Sequence, residues 1–181
     1  MHPPEPPELE PRPNPYSGAD VLVLLKEHHW LESAPSEKQL VWCDHAASLL
    51  GHYAADRPAL AKILRLIFEF DATRIMQLPE SHAVLARHAA RDVIRHLALH
   101  LLQPGHLNSD RFKELIHQLK EELHVGSRDL FHPIRLALTG RSGEGELDRV
   151  ILLLDEAAAL PFAIPVKSTY TRILEFCAAM E

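Results

Sequence analysis

The chain has 181 residues, 46% hydrophobic and 24% charged, with a formal net charge of −6 when its thirteen histidines are neutral. This is the balance of a soluble globular protein of one domain or two small subdomains; no run of about 18 apolar residues is present to span a membrane, and the first residues lack a basic-then-apolar signal pattern. The acidic sum speaks against a generic nucleic-acid binder, although the distribution of charge matters more than its total.

Residues 1–15 are rich in proline and lean acidic. Such a segment buries too little apolar surface to offset its ordering entropy, so a disordered leader or linker is expected there. From Tyr16 the pattern is helical. Asp20 is expected to cap a helix to about Leu31, and Ser36 a second one to about Ala55. Arg57-Pro58 breaks the second, and a third covers 59–70. Pro79-Glu80 opens a long helix to about Leu102, which Pro104-Gly105 stops. Ser109 is expected to cap an amphipathic helix over 110–124, and helices near 133–139, 146–160 and 167–180 follow. Strand-like alternation is nearly absent. The predicted fold is therefore all-α, a bundle or cage of about seven to eight helices. Gly105 marks a candidate boundary between a first helical subdomain, 16–103, and a second, 104–181.

Arg87, Arg91 and Arg95 recur every four residues on the predicted long helix, a basic stripe about three turns long. It reads either as a phosphate-contacting face or as a solvated one. His96 and His100 stand one turn apart, a spacing able to chelate a metal. No glutamate lies between them as in His-Glu-x-x-His, and no third ligand is marked, so a packed or exposed pair is the plainer reading. Cys43 and Cys177 are far apart and outside any Cys-x-x-Cys pattern, which argues against zinc and for a reducing compartment. No metal or cofactor is expected.

The most informative stretch is Phe131-His132-Pro133-Ile134-Arg135-Leu136-Ala137-Leu138-Thr139-Gly140-Arg141. Pro133 suits the first turn of a helix, and Gly140 suits a left-handed cap at its end. The segment thus reads as one or two helical turns that carry Arg135 and present a polar loop running to Leu147. Arg135 has two readings, facing a ligand or pairing with a carboxylate to hold the loop, since its planar fork suits phosphate and carboxylate alike.

This order of residues resembles the C-terminal anticodon-binding domain of bacterial glutamyl-tRNA synthetases. In that family Leu-Phe-x-Pro-Leu-Arg-x-Ala-Leu-Thr-Gly is followed by a short Gly/Pro loop, a leucine and a helix ending in Leu-Leu-Gly-Lys-Glu. Pro133, Arg135, Ala137, Leu138, Thr139 and Gly140 fall on the motif, and the likeness runs from near Phe112 to near Leu160. Arg128 stands where the family has a lysine, and Phe68-Glu69-Phe70-Asp71 resembles the aromatic and acidic stretch that opens the region. The resemblance implies an all-helical cage that recognises a tRNA anticodon stem-loop, of the glutamate type, in the cytoplasm. It implies that Arg135, Thr139, Gly140, Arg141, Leu147 and Arg128 face the RNA, with Arg87, Arg91 and Arg95 as subordinate contacts. Leu147 would act as an apolar wedge against splayed bases, a common device for reading single-stranded loops.

Several departures accompany the likeness. Gly145 stands where the family often has proline, and Glu144 and Glu146 add negative charge to the loop. Leu153-Leu154-Asp155-Glu156-Ala157 replaces Leu-Leu-Gly-Lys-Glu, so this end is expected to dock differently. The family's catalytic signatures, resembling His-Ile-Gly-His and Lys-Met-Ser-Lys-Ser, are missing, as are a phosphate-binding glycine loop and Gly-x-Ser-x-Gly. The chain by itself is not expected to activate an amino acid, whether it is free-standing or part of a synthetase. Two function classes stay open: anticodon recognition without chemistry, and a protein-interaction module that keeps the fold, has lost RNA binding and docks a synthetase or other protein. A third, a histidine-based metal or pH-responsive protein, rests on composition alone.

Overall fold

The computed structural model describes residues 13–143 and 145–181. Among them are α1 (Gly18–Glu27), α2 (Glu37–Leu50), a 3-10 turn (Gly51–Tyr53), α3 (Arg57–Phe68), α4 (Ala72–Met76), α5 (Pro79–Leu85), α6 (Ala90–Leu101), α7 (Ser109–Leu123), α8 (Ser127–Thr139), α9 (Glu146–Ala158) and α10 (Thr169–Met180), with no strand among the described residues. The all-α expectation holds. The helix number rises to ten among the described residues because α4 is an extra short turn and the predicted long helix over 79–102 is divided. The expected leader lies outside the described residues as far as residue 12. Asn14 is not part of a free leader: its Nδ2 donates to the Ala47 carbonyl of α2 at 2.7 Å, and its Oδ1 accepts from the Tyr16 amide at 3.1 Å.

Local chemistry explains most boundaries. Ser36 caps α2, its Oγ accepting from the Gln39 amide while the Gln39 Oε1 accepts from the Ser36 amide. Two predicted caps shift. Ser17, not Asp20, precedes α1, and Asp20 reaches back one turn to accept from the Ser17 amide at 2.9 Å. Asn108, not Ser109, caps α7 by accepting from the Arg111 amide. A cap must reach the free N–H groups of the first turn, and these two side chains are the ones at that distance.

The break between α5 and α6 has no glycine or proline to announce it. Ala89 there adopts φ +64, a left-handed conformation that disfavours any side chain with a Cβ. Tertiary contacts impose it: α5 turns its first residues toward the loop after α8, whereas α6 lies against α7, α8 and α10. Pro133 also sits elsewhere than predicted. It lies inside α8, which begins at Ser127. The carbonyl that a proline there leaves without its helical donor belongs to exposed Asp129, which water can reach.

Two apolar cores share α9. The first joins α1, α2 and α3 to Val150, Leu153, Leu154 and Ala157, with Trp30 stacked on Phe68 at 4.8 Å. The second joins α4 to α8 and α10 to Ile151 on the other face of α9. The cores thus exchange elements across Gly105, since α4, α5 and α6 build the second and α9 contributes to the first.

Polar groups buried where the elements converge tie them together. Arg172 of α10 is fully buried. Its Nη1 donates to the Leu66 carbonyl at 2.9 Å and the Leu138 carbonyl at 3.0 Å, its Nη2 to the Ile67 carbonyl, and its Nε to the Lys167 carbonyl at 2.8 Å. Leu66 and Ile67 close α3 and Leu138 closes α8, so one guanidinium sits at the negative ends of two helices and supplies donors that those ends lack. Burial pulls its pKa down to about 9, opposed by Asp155 and Glu175, so it is cationic at neutral pH. Asp155, buried on α9, accepts from the Leu107 amide at 2.7 Å and from the Thr169 amide and hydroxyl at 2.8 and 2.9 Å. The acid that departs from the family's Gly-Lys pair therefore docks the start of α10. Replacing Arg172 by Met strands several buried carbonyls and is expected to destabilise the fold by about 3 kcal/mol or more, with Lys in between; urea unfolding of both variants measures this.

Candidate nucleic-acid interface

The loop after α8 is built from its own residues upward. Gly140 ends α8 at φ +85, its amide donating to the Leu136 carbonyl at 2.9 Å. The positive φ favours glycine here, and a Cβ would also stand 2.9 Å from Ile75 Cδ1 of α4, so that side chain would have to shift to admit one. Thr139 is buried. Its hydroxyl donates to the Arg135 carbonyl at 2.8 Å and accepts from the Arg141 amide at 3.2 Å, which starts the chain on its turn.

Ser142 is then fastened to a distant helix. Its amide and hydroxyl donate to Glu80 Oε1 at 2.9 and 2.7 Å. Glu80 lies in the first turn of α5. Partial burial raises its pKa, but the two Ser142 hydrogen bonds, with the Arg141 and His132 charges, outweigh that and hold the carboxyl below its usual range.

Arg135 fixes the other end. Its Nε and Nη2 grip Asp148 of α9 at 2.8 and 3.0 Å, and its Nη1 donates to the Gly143 carbonyl at 2.9 Å. The guanidinium also lies 5.0 Å from the Phe131 ring centroid, and its side chain is 13% exposed. Of the two readings of Arg135, the carboxylate pair is the one seen in the free protein. Asp148 and Glu146 occupy the first turn of α9, where acids favour the helix dipole. Glu146, one of the two acids that look adverse to RNA in the sequence, thus has local work in the fold, whereas Glu144 lies outside the described residues.

The remaining sequence-derived residues divide. Arg141 is exposed beside the loop, whereas Leu147 is 4% exposed with its Cδ1 beneath Gly143, so a base meets Leu147 only if the loop opens. Arg128 is exposed near the start of α8, roughly 17 Å of helix away from Thr139. The basic stripe is not one helical face. Arg87 falls in the link before α6 and its Nη1 contacts His132 Nδ1 at 2.6 Å. Arg91 donates to the Met180 carbonyl at 3.3 Å, and Arg95 pairs with Asp92 at 3.6 Å. The broken helix and these separate partners replace the expected three-turn row.

His96 Nδ1 and His100 Nε2 each lie 3.0 Å from an oxygen of Glu122 on α7. Their spacing serves a contact between helices; hydrogen bonding from His96, then from His100, holds the Glu122 carboxyl low. Among the described residues no group of three or more His, Cys, Asp or Glu could hold a metal ion. Cys43 and Cys177 are free thiols, and burial pushes Cys43 up to about 11. The Glu80–Ser142 tether and the Asp148 partner carried no sequence signal of their own; Glu80 was legible only as an acid in a first turn.

Two outcomes follow from these contacts. If Arg135 holds the loop through Asp148, Arg135→Ala and Asp148→Ala each destabilise by about 1–3 kcal/mol, and the double variant is little worse than either, measured by a double-mutant cycle in urea. Glu80 has a lowered folded pKa, so its contribution is present above its unfolded value of 4.5 and is lost as pH falls through the folded value. The Ser142 amide should therefore lose its hydrogen-bonded chemical shift in acid below that point, and Glu80→Gln should abolish the titration.

The anticodon binding domain family matches residues 22–160 of the chain. Glutamate--tRNA ligase of Exiguobacterium sibiricum is 28% identical over 139 residues, covering 77% of this chain and 28% of that protein. The ligase of Desulforudis audaxviator is 30% identical over 148 residues, with the same two shares. Glutamate--tRNA ligase 1 of Ehrlichia ruminantium, strain Welgevonden, is 38% identical over 61 residues, 34% of this chain and 14% of that protein. The chain thus spans less than a third of the length of these relatives, and no solved structure matches it. With its all-helical fold and its family match over most of the described residues, the chain belongs to the anticodon binding domain family.

Proposed function

We propose that the chain recognises the anticodon stem-loop of a tRNA, of the glutamate type, and performs no chemistry of its own. The observation that carries this reading is the match to the anticodon binding domain family over residues 22–160, joined to a motif loop pinned at both ends. A loop held by Glu80 on one side and Asp148 on the other is pre-organised, so binding RNA loses little further conformational freedom. Thr139 and Gly140 shape the loop, Arg135 positions it, and exposed Arg141 offers charge to phosphate. Leu147 supports the loop from beneath, packed under Gly143. Arg128 and the dispersed Arg87, Arg91 and Arg95 extend the basic surface away from the loop. The reading places the chain in the cytoplasm with the machinery of protein synthesis. Among the described residues no helix is long and apolar enough to cross a membrane.

The second reading, a protein-interaction module docking a synthetase or another protein, draws on the net charge of −6 and on the burial of Leu147.

A low-salt titration with glutamate tRNA, an unrelated tRNA and an anticodon-swapped tRNA separates the two. Anticodon recognition predicts selective binding that weakens with salt, each neutralised phosphate adding a little under one unit to the logarithmic slope. It also predicts weaker binding by Arg141→Ala. Absence of binding to every tRNA at low salt would favour the protein-interaction module.

A further inference from the structure

Behind the motif loop lies a groove of about 780 Å³, bounded by the end of α3, α4, the end of α8 and residues 164–167. That volume is in the range of pockets that take small ligands. Part of its wall, at Ile164 and Lys167, comes from chain beyond the family match, which ends at residue 160.

The lining combines two chemistries. Phe70 and Ile75 form an apolar base, each 8% exposed, flanked by Leu78 and Ile164, which are 41% and 40% exposed. Leu78 and Ile164 therefore both present apolar surface to the groove. Around them stand Arg65, Arg74, Arg141 and Lys167, against the carboxylates of Glu69 and Asp71. On a chain of net charge −6 this is a locally positive site.

The cations are not equally committed. Lys167 pairs with Glu175 at 2.8 Å, and Arg65 lies 3.8 Å from Glu69 with both side chains about half exposed. Asp71 caps α4 by accepting from the Arg74 amide at 3.2 Å. The guanidiniums of Arg74 and Arg141 make no ion pair within 4 Å among the described residues. Buried Arg172 lies beneath, 4.7 Å from the Phe70 ring centroid, and stiffens the base of the groove. The Phe70 ring is covered by Arg172 and Lys167, so the open apolar surface is that of Leu78 and Ile164. Bordered by guanidiniums without an ion pair among the described residues, it suits an unstacked base with its phosphate. The backbone of Thr139, Gly140 and Arg141 forms one rim, so a strand that meets the motif loop is led directly to it.

We propose that this groove is a nucleotide pocket that takes one splayed base of single-stranded RNA against Leu78 and Ile164, with the adjoining phosphate on Arg74 and Arg141. It rests on the reading that the chain binds RNA, and it assigns a second contact site to residues outside the motif.

Chemical-shift mapping of the ¹⁵N-labelled full chain with the ribotrinucleotides of uridine and of cytidine tests it. Shifts are expected at Arg74, Leu78, Thr139 to Arg141 and Ile164 to Lys167. Arg74→Glu and Ile164→Glu, both at exposed positions, should each weaken trinucleotide binding about 5- to 100-fold, with amide shifts elsewhere unchanged as proof of folding. Binding of glutamate tRNA by the wild type, with no groove shifts and full affinity in both variants, overturns the pocket and leaves anticodon recognition standing. Groove shifts with trinucleotides but no binding of any tRNA overturn anticodon recognition and leave the pocket standing. No response to either ligand overturns both.

Discussion

The architecture depends on one buried guanidinium. Arg172 reaches from α10 to the ends of α3 and α8 and to the residue 167 carbonyl. Helix ends carry carbonyls without donors, and burying them is unfavourable unless something supplies the missing bonds. A protonated guanidinium has five donors in a fixed plane, so it can satisfy several such carbonyls at once. Because two of the three elements end beside the motif loop and the groove, the same side chain that closes the core also sets the relative position of that loop and that groove.

Around that clamp the loop is held by a hierarchy of contacts. Gly140 and Thr139 shape it locally, and Ser142 and Arg135 attach it to α5 and α9. The two attachments are carboxylate hydrogen bonds, of the stronger, charge-assisted kind. The described part of the loop is thus held at Ser142 and Gly143 while Arg141 remains exposed. Most charged groups of this surface are paired and hold its shape, while Arg74 and Arg141, with no ion pair within 4 Å among the described residues, stand at its edge. The acidic residues near the start of α9 fit the same account, because Asp148 anchors Arg135 and Glu146 sits at the positive end of a helix dipole.

Asp155 illustrates how a departure from a family pattern can be read physically. In place of a flexible glycine turn and a lysine, this chain continues α9 and uses the acid to bind the amides of Leu107 and Thr169. The segment from 160 to 168 is thereby fastened between two helices, and its apolar and basic side chains are brought to the groove behind the loop. Family likeness ends at residue 160, yet the fold, and one wall of the groove, continue past it.

The sequence by itself determined the helical class, most helix positions, the left-handed end of α8 at Gly140 and the membership signalled by the motif. These are decided within a few residues, by hydrophobic period, capping side chains and the conformational freedom of glycine, so they are written locally. Tertiary structure alone decided that α5 and α6 part at Ala89, that α8 begins six residues before Pro133, that Arg135 holds Asp148, that Glu80 holds Ser142, and that Arg74, Leu78 and Ile164 share one groove. Each of these depends on which distant groups the packed helices bring within hydrogen-bond or van der Waals reach. No local pattern encodes a partner sixty residues away, and the left-handed turn at Ala89 persists only because the packed neighbours on both sides outweigh its intrinsic cost.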